Sequence, residues 1–240
     1  MMNTPGNANQ GHRGTGVLKI LVFALVLLLF NLVPFFVAGR WDWWGAWANA
    51  MLAFLAMFIG RLIVNSRNPA LLAERLHSLK ADDSKAWDKK IVPLIGIVGP
   101  LFTLVVAGLN FRFNWQPPVP LAWQICGLLV MILGCVLSTW ALVENRFFSG
   151  MVRIQVERGH AAVETGPYRY VRHPGYMGDI LYNLATPLLL GSLWALIPAM
   201  LTAILFGFRT ALEDLTLQEE LPGYKEYTRK TRYRLLPGIW

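Results

Sequence analysis

The sequence predicts an all-α integral membrane protein, a helical bundle with five to six membrane segments. Three observations predict it. Hydrophobic residues make up 55% of the 240 and charged residues only 15%, whereas a soluble domain carries about 25% charged residues. The mean hydropathy is +0.44. The apolar residues also fall in runs of about 20, the length that crosses a hydrocarbon core as a helix, rather than in the stripes of amphipathic elements. In such a core the backbone is satisfied within helices.

Residues 1–16, MMNTPGNANQGHRGTG, read as a polar, disordered tail. Their glycines follow no strand, so they form no dinucleotide fingerprint. Residues 17–240 read as one domain without internal repeats. The first span is expected over Val17–Ala38, too long for a signal-peptide core and without a small-residue cleavage site. The second is expected over Trp43–Val64, the third over Ile91–Phe111 and the fourth over Leu121–Val143. The last apolar run, 176–208, would be about 50 Å long as one helix at ~1.5 Å per residue. That exceeds a ~30 Å hydrocarbon core. It contains Pro187, Gly191, Ser192 and Pro198, and reads as a helical hairpin turning near Gly191–Trp194. A single kinked, tilted helix is the alternative.

Charge favours the hairpin. The chain carries 22 Lys and Arg and a net charge of +8. With six crossings, 20 of the 22 lie on one side, leaving only Arg40 and Arg112 on the other. The rich side, with both termini, is then cytoplasmic. Trp41, Trp43, Trp44, Trp115 and Trp123 form an aromatic belt at the other end. No nucleic-acid-binding module accompanies the positive charge. Cys126 and Cys135 lie in an apolar run and read as packing residues. The four histidines have no ligand spacing, so no metal is expected. The 61–90 connection contains NPALLAERLHSLK, with Leu72, Leu76 and Leu79 on one face. It reads as a short interfacial helix, either a plain connector or a cover over a substrate entrance.

Two segments could carry chemistry. In the loop 144–175, prolines at 167 and 174 restrain the backbone around Tyr168, Arg169, Tyr170 and Arg172. Alternating aromatic and cationic side chains can hold an adenine and a carboxylate. They can equally touch lipid head groups. Past the last apolar run, Arg209 and Glu213 share a helix face and Asp214 turns about 100° away. The two could form a structural salt bridge, or face a cavity as functional groups.

Taken together, these segments resemble the isoprenylcysteine carboxyl methyltransferase family. The chain has Gly166, Pro167, Tyr168, Arg172, His173, Pro174 and Tyr176 in the family's order and spacing. Arg209 follows, four residues before the acidic pair Glu213 and Asp214. Gly223, Tyr224 and Tyr227 come next, with the first Tyr shifted by one position, and Leu236-Pro237 closes the match. The match covers 144–240, the expected cofactor-binding part. The compact N-terminal part resembles prokaryotic members. The resemblance implies an S-adenosylmethionine pocket lined by Gln155, His160, Ala161, Ala162, Val163, Tyr168, His173, Pro174, Gly175 and Tyr176. It implies Glu213 as closing that pocket and Arg209 as facing a lipophilic methyl acceptor that enters from the bilayer. A carboxylate acceptor is already ionised at neutral pH, and the arginine fork can bind both its oxygens.

Three rivals stand beside this reading. A phospholipid or amine N-methyltransferase would use Glu213 and Asp214 as bases, because an amine must be neutral to attack. A sterol-type reductase would bind NADPH. A transporter or structural protein would need polar groups at mid-membrane. There the first four spans offer few, with Asn31, Thr103 and Ser138 the exceptions.

Overall fold

The computed structural model describes residues 25–79 and 81–240, apart from the side chain of Leu72. The expected tail over 1–16 and the start of the first span, 17–24, lie outside the described residues. The helices are α1 (Leu25–Ala38), α2 (Trp44–Arg67), α3 (Pro69–Ser78) and α4 (Ala86–Phe113). They continue with α5 (Leu121–Glu144), α6 (Pro174–Leu189), α7 (Leu196–Glu220) and α8 (Tyr224–Lys230). No strand occurs among the described residues. Four helices, α2, α4, α5 and α7, are long and apolar enough to cross a membrane. Within the described residues α1 is shorter, and α6 has 16 residues.

The apolar side chains point outward as well as inward. Met51, Phe54 and Phe58 on α2 and Leu129, Leu133 and Val136 on α5 are all exposed. A bundle whose surface is this apolar is solvated by hydrocarbon chains. Inside, small residues let backbones approach. A Cβ added to Gly134 on α5 would lie 2.6 Å from the Gly178 carbonyl and 3.0 Å from the Tyr182 nitrogen on α6. Close approach through small residues is how helices pack where lipid competes equally for apolar contact. Beside this crossing the Ser138 hydroxyl lies 2.7 Å from Asp179 Oδ1 and 3.0 Å from the Gly175 carbonyl. Asn49, outside the expected polar set, donates to Asn31 Oδ1 at 3.2 Å.

The run 176–208 is broken into two helices. Pro187 and Gly191 sit at the break, where the Ser192 amide reaches the Pro187 carbonyl at 2.9 Å. Gln116 fixes the turn from outside, donating to the Gly191 carbonyl at 3.2 Å and accepting from the Leu193 amide at 2.8 Å. The two helices pack together, and Asn183 donates to the Ala199 carbonyl at 2.7 Å. On α4, Pro93 cannot donate to the carbonyl four residues back. The next turn, Leu94–Val98, widens to a π-helix. α7 runs twelve residues past the apolar stretch, so Arg209 through Glu220 belong to the same helix.

Connections 68–85, 145–173 and 221–240 meet at one end of the bundle. There Lys85 donates to Glu220 at 2.5 Å and the Lys85 amide to the Val152 carbonyl at 2.9 Å. The Glu74 and Asp83 carboxylates grip Arg153, at 2.9 and 2.6 Å, with Glu157 on its far side. α3 is therefore clamped onto the 145–153 segment. Leu76 on this helix and Leu79 just after it are exposed.

The α5–α6 crossing gives a direct test. Gly178→Val should cost about 1–3 kcal/mol through overpacking and lower the melting temperature in detergent. Gly207→Ala, which meets nothing within 4 Å, should not lower it.

Candidate functional site

The loop end holds a cleft of about 710 Å³, its open mouth included. The 145–163 segment supplies one wall. Gly166–Tyr176 and the charged turns of α7 supply the others, and Tyr224 and Tyr227 of α8 close the base. Each wall has a local cause. Gly166 takes φ +56°, a left-handed conformation that favours glycine, and a Cβ there would also displace the Glu144 carboxylate, 2.9 Å away. Pro167 then opens a 3₁₀ turn over Gly166–Arg169, which sets Tyr168 inward. Tyr168 is buried against Ala141, Leu221, Tyr224 and Tyr227. Tyr227 donates its hydroxyl to the Tyr168 carbonyl at 2.7 Å.

Asp214, fully buried, ties three chain segments together. It takes both nitrogens of the Arg172 fork at 2.7 and 2.9 Å and Arg234 Nε at 2.9 Å. The Tyr224 hydroxyl lies at 3.2 Å, Gln218 Nε2 at 2.8 Å and His173 Nε2 at 3.4 Å. Arg172 also donates to the Thr231 and Arg232 carbonyls at 2.9 and 2.7 Å. The backbone amides of Arg172 and His173 reach the Tyr233 and Arg234 carbonyls, each at 2.9 Å. The 231–234 segment is thereby laced along the 172–173 turn.

Arg209 and Glu213 both line the cleft but are not partnered with each other. Among the described residues no ion pair joins them. Arg209 is held by Asp88, at the start of α4, through Nε at 2.7 Å and Nη2 at 3.0 Å. Asp88 also accepts the Val152 amide at 2.7 Å. Nη2 further reaches the Gly150 carbonyl at 3.2 Å. Asp88 thus occupies the Nε–Nη2 edge of the guanidinium. Nη1 is left for the cleft. The Arg209 guanidinium lies 4.8 Å from the Tyr176 ring centre, and Tyr176 donates its hydroxyl to Glu213 Oε2 at 2.5 Å.

Of the residues singled out from the sequence, His160, Ala161, Ala162, Val163, Tyr168, His173, Gly175, Tyr176, Arg209 and Glu213 line this one cleft. Gln155 and Pro174 do not. Gln155 is fully buried behind the wall, donating to the Phe147 carbonyl at 2.7 Å and accepting from Arg158. Pro174 is buried at the first turn of α6. Phe148, Met151 and Asp88 went unnoticed in the sequence. An acidic residue at the start of a span signals a need for a buried cation, but nothing in the sequence pairs Asp88 with a partner 121 positions away.

The wall is electrostatically graded. Burial, aided by the Arg158 and Arg153 cations, brings His160 down to about 4. Its neutral ring lies 4.6 Å from Phe147, and Nδ1 accepts the Gln155 amide at 3.3 Å. Burial raises the Tyr168, Tyr224 and Tyr227 phenols, so they remain hydrogen-bond donors. Among the described residues no three His, Cys, Asp or Glu side chains converge as metal ligands.

Residues 126–219, which include the 166–176 turn and the Arg209–Glu213 face, match the model of the isoprenylcysteine carboxyl methyltransferase family. A Bacillus subtilis protein, the uncharacterised YpbQ, is 31% identical over 166 residues, 68% of this chain and 96% of that one. The chain belongs to the isoprenylcysteine carboxyl methyltransferase family. A probable protein-S-isoprenylcysteine O-methyltransferase of rice (Oryza sativa subsp. indica) is 32% identical over 109 residues, 43% of this chain. The chain spans 56% of the length of that rice protein. The protein-S-isoprenylcysteine O-methyltransferase of Schizosaccharomyces pombe is 25% identical over 217 residues, 87% of this chain and 79% of its own. The family match begins within α5 and ends within α7, so it leaves out Asp88 and the 221–240 segment that complete the cleft here.

Two outcomes follow. Asp214→Asn leaves Arg172 and Arg234 without a counter-charge. Breaking a buried pair in this way costs about 3–5 kcal/mol. Hydrogen exchange should quicken across 223–240 before the apolar helices respond. His160 should stay neutral from about pH 8 to pH 5, with no titration of its ring signals near 6.5. Its folded pKa lies below its unfolded one. The unfolded chain therefore gains the proton first, and stability falls as pH drops from about 6.5 towards 4.

Proposed function

We propose that this chain is an S-adenosylmethionine-dependent methyltransferase that esterifies a lipophilic carboxylate reached from the bilayer, of isoprenylcysteine type. The observation that carries the reading is the convergence of the 160–163 segment, the 166–176 turn and Arg209 and Glu213 on one cleft. The relatives' names support the same chemistry.

The lining suits the cofactor. Glu213 Oε2 is taken by Tyr176, and Oε1 has no partner among the described residues. A carboxylate oxygen of that kind suits an ammonium or ribose hydroxyls. The neutral His160 ring, the small Ala161 and Ala162 side chains and the Tyr168 face suit an uncharged aromatic base. His160, Ala161, Ala162, Val163, Tyr168, His173, Gly175 and Tyr176 would line the cofactor, and Glu213 would close over it. Gln155 and Pro174 would support that wall from behind. When bound, S-adenosylmethionine supplies a methyl carbon activated by the neighbouring sulfonium.

The chain's own task is alignment. A carboxylate acceptor needs no general base, so holding it in line is the main contribution of the protein. Arg209 Nη1 would orient one acceptor oxygen while Asp88 holds the rest of the guanidinium still. Tyr176 and Phe148 would keep water from the reacting atoms. Two cavities among the apolar helices, of about 760 and 620 Å³ with their open mouths included, share Asp179 and Tyr182. Phe206 lines the larger of them, with its ring centre 6.0 Å from that of Tyr176. They support an acceptor tail that arrives through the bilayer. The basic residues of the three connections at this end favour a cleft facing the cytoplasm in a multi-pass protein.

Membranes containing the protein, incubated with methyl-labelled S-adenosylmethionine and then treated with mild base, should release labelled methanol. Base-stable label would instead mark an N-methyltransferase, and NADPH oxidation without label would mark a reductase. Arg209→Ala should abolish turnover with cofactor affinity kept within a few fold. Glu213→Ala should weaken cofactor binding about 10- to 150-fold, the cost of losing a charge-assisted hydrogen bond. Identical behaviour of the two variants would refute the division of roles.

A further inference from the structure

We propose that the end of the bundle opposite the cleft holds a second binding site, for the neutral polyhydroxyl head of a lipid, with Asn110 as its anchoring side chain. The site stands apart from the methyltransferase reading.

The connections 39–43, 114–120 and 190–195 meet at this end. Between them lies a cavity of about 620 Å³, its open mouth included, that shares no lining residue with the cleft. Its loop wall is fixed. Asn114 ends α4 in the left-handed region, at φ +50°. Pro117 and Pro118 follow, and neither has an amide that could draw the loop inward. Gln116 pins the same loop to the Gly191 carbonyl and the Leu193 amide.

Asn110, on the last turns of α4, lines this cavity and is only 6% exposed. Its Oδ1 has no hydrogen-bond partner, and it is the one such buried side-chain atom among the described residues. Buried polar groups are almost always met, and an unmet one is costly. An acceptor shut off from bulk water in a cavity wall is met only by a donor brought into that cavity.

Charge narrows the guest. Asp42 is the one charged residue of the lining, and Arg40 takes both its oxygens, at 3.0 and 2.6 Å. The Arg40 guanidinium also lies 5.2 Å from the Phe111 ring centre, and Trp43 stacks on that ring at 4.3 Å. An anion therefore finds no cation in the lining. An ammonium finds its carboxylate already neutralised and its rings already covered. What is left is amide chemistry. Gln124 commits Nε2 to the Val119 carbonyl at 2.8 Å, and its Oε1 has no partner among the described residues. Asn114 lines the mouth and is exposed. Amides both accept and donate, as alcohols do. Unspent hydrogen bonding without unspent charge suits a polyol, and the 41% exposed Trp44 offers a ring to its C–H face.

The surroundings point to a lipid as the carrier. Trp41, Trp44, Trp115 and Trp123 are all exposed at this end, where tryptophans mark head-group depth. A sugar or glycerol tethered in that layer meets the mouth at high effective concentration.

The test uses the full chain in lauryldimethylamine oxide micelles, which carry no sugar, with bound lipid counted by native mass spectrometry. The probe is monoglucosyl diacylglycerol. Phosphatidylserine and phosphatidylethanolamine of the same chains are the charged controls, and methyl β-glucoside is the untethered sugar. Wild type should retain the glucolipid at least about tenfold more tightly than either control. Asn110→Leu should weaken its Kd about tenfold, without lowering the probe-free melting temperature, because the lost carbonyl had no partner. Asn114→Gly, which suits the left-handed backbone, should weaken it too. The proposal is overturned if a charged lipid binds as tightly as the glucolipid, or if both variants keep the wild-type Kd. Should Asn110→Leu fail to fold, an unchanged Kd in Asn114→Gly alone overturns it. Equal affinity for methyl β-glucoside would overturn the assignment to a lipid.

Discussion

A carboxylate without solvent exposure must find all its charge and hydrogen-bond partners inside the protein. Asp214 has five: Arg172, Arg234, His173, Gln218 and Tyr224. They come from the 166–176 turn, from α7 itself and from the segment beyond α7. The turn and the segment beyond α7 have no apolar stripe long enough to fix their own positions. The turn is held because Arg172 reaches Asp214, and 231–234 is held because Arg172 reaches its carbonyls. Cleft shape therefore follows from one charge.

Burying ions at a membrane boundary is costly unless each is fully met. The loop end gathers its buried ion pairs into three sets, around Arg153, Arg209 and Asp214. Each set joins elements far apart in sequence: α3 to the 145–158 segment, α4 to α7, and the 172–173 turn to 231–234. Apolar contact cannot provide this specificity, because lipid chains compete for it equally. Ion pairs and backbone amides supply it instead, and the apolar helices beneath serve as a platform.

The helical bundle was legible because its signal is repeated over every run of about twenty residues. The break at 190–195 was legible from Pro187, Gly191 and an excess of length. The length of α7 was not. Hydropathy ends at Phe208, but the helix persists through Glu220 because its charged face meets Asp88, Tyr176 and Arg172 rather than water. The 166–176 turn and the Arg209–Glu213 face were readable as motifs, and both line the cleft. Their partners were not readable. Spacing within α7 allows Arg209 and Glu213 to bond each other, but tertiary contacts give one to Asp88 and the other to Tyr176. Local spacing tells which side chains share a face, and it says nothing about what stands opposite.

The Tyr176–Phe206 contact has one further consequence. Tyr176 walls the cleft and Phe206 lines the larger of the other cavities, so the two rings, 6.0 Å between centres, form the partition where the chambers adjoin. Both rings stand on helices that serve both chambers. α6 bears Tyr176 and Asp179, and α7 bears Phe206 and Arg209. A guest that displaces the partition from one side changes the free energy of the other side by the same amount, since such coupling is reciprocal for binding. Any such linkage between the two chambers would pass through these two aromatic rings.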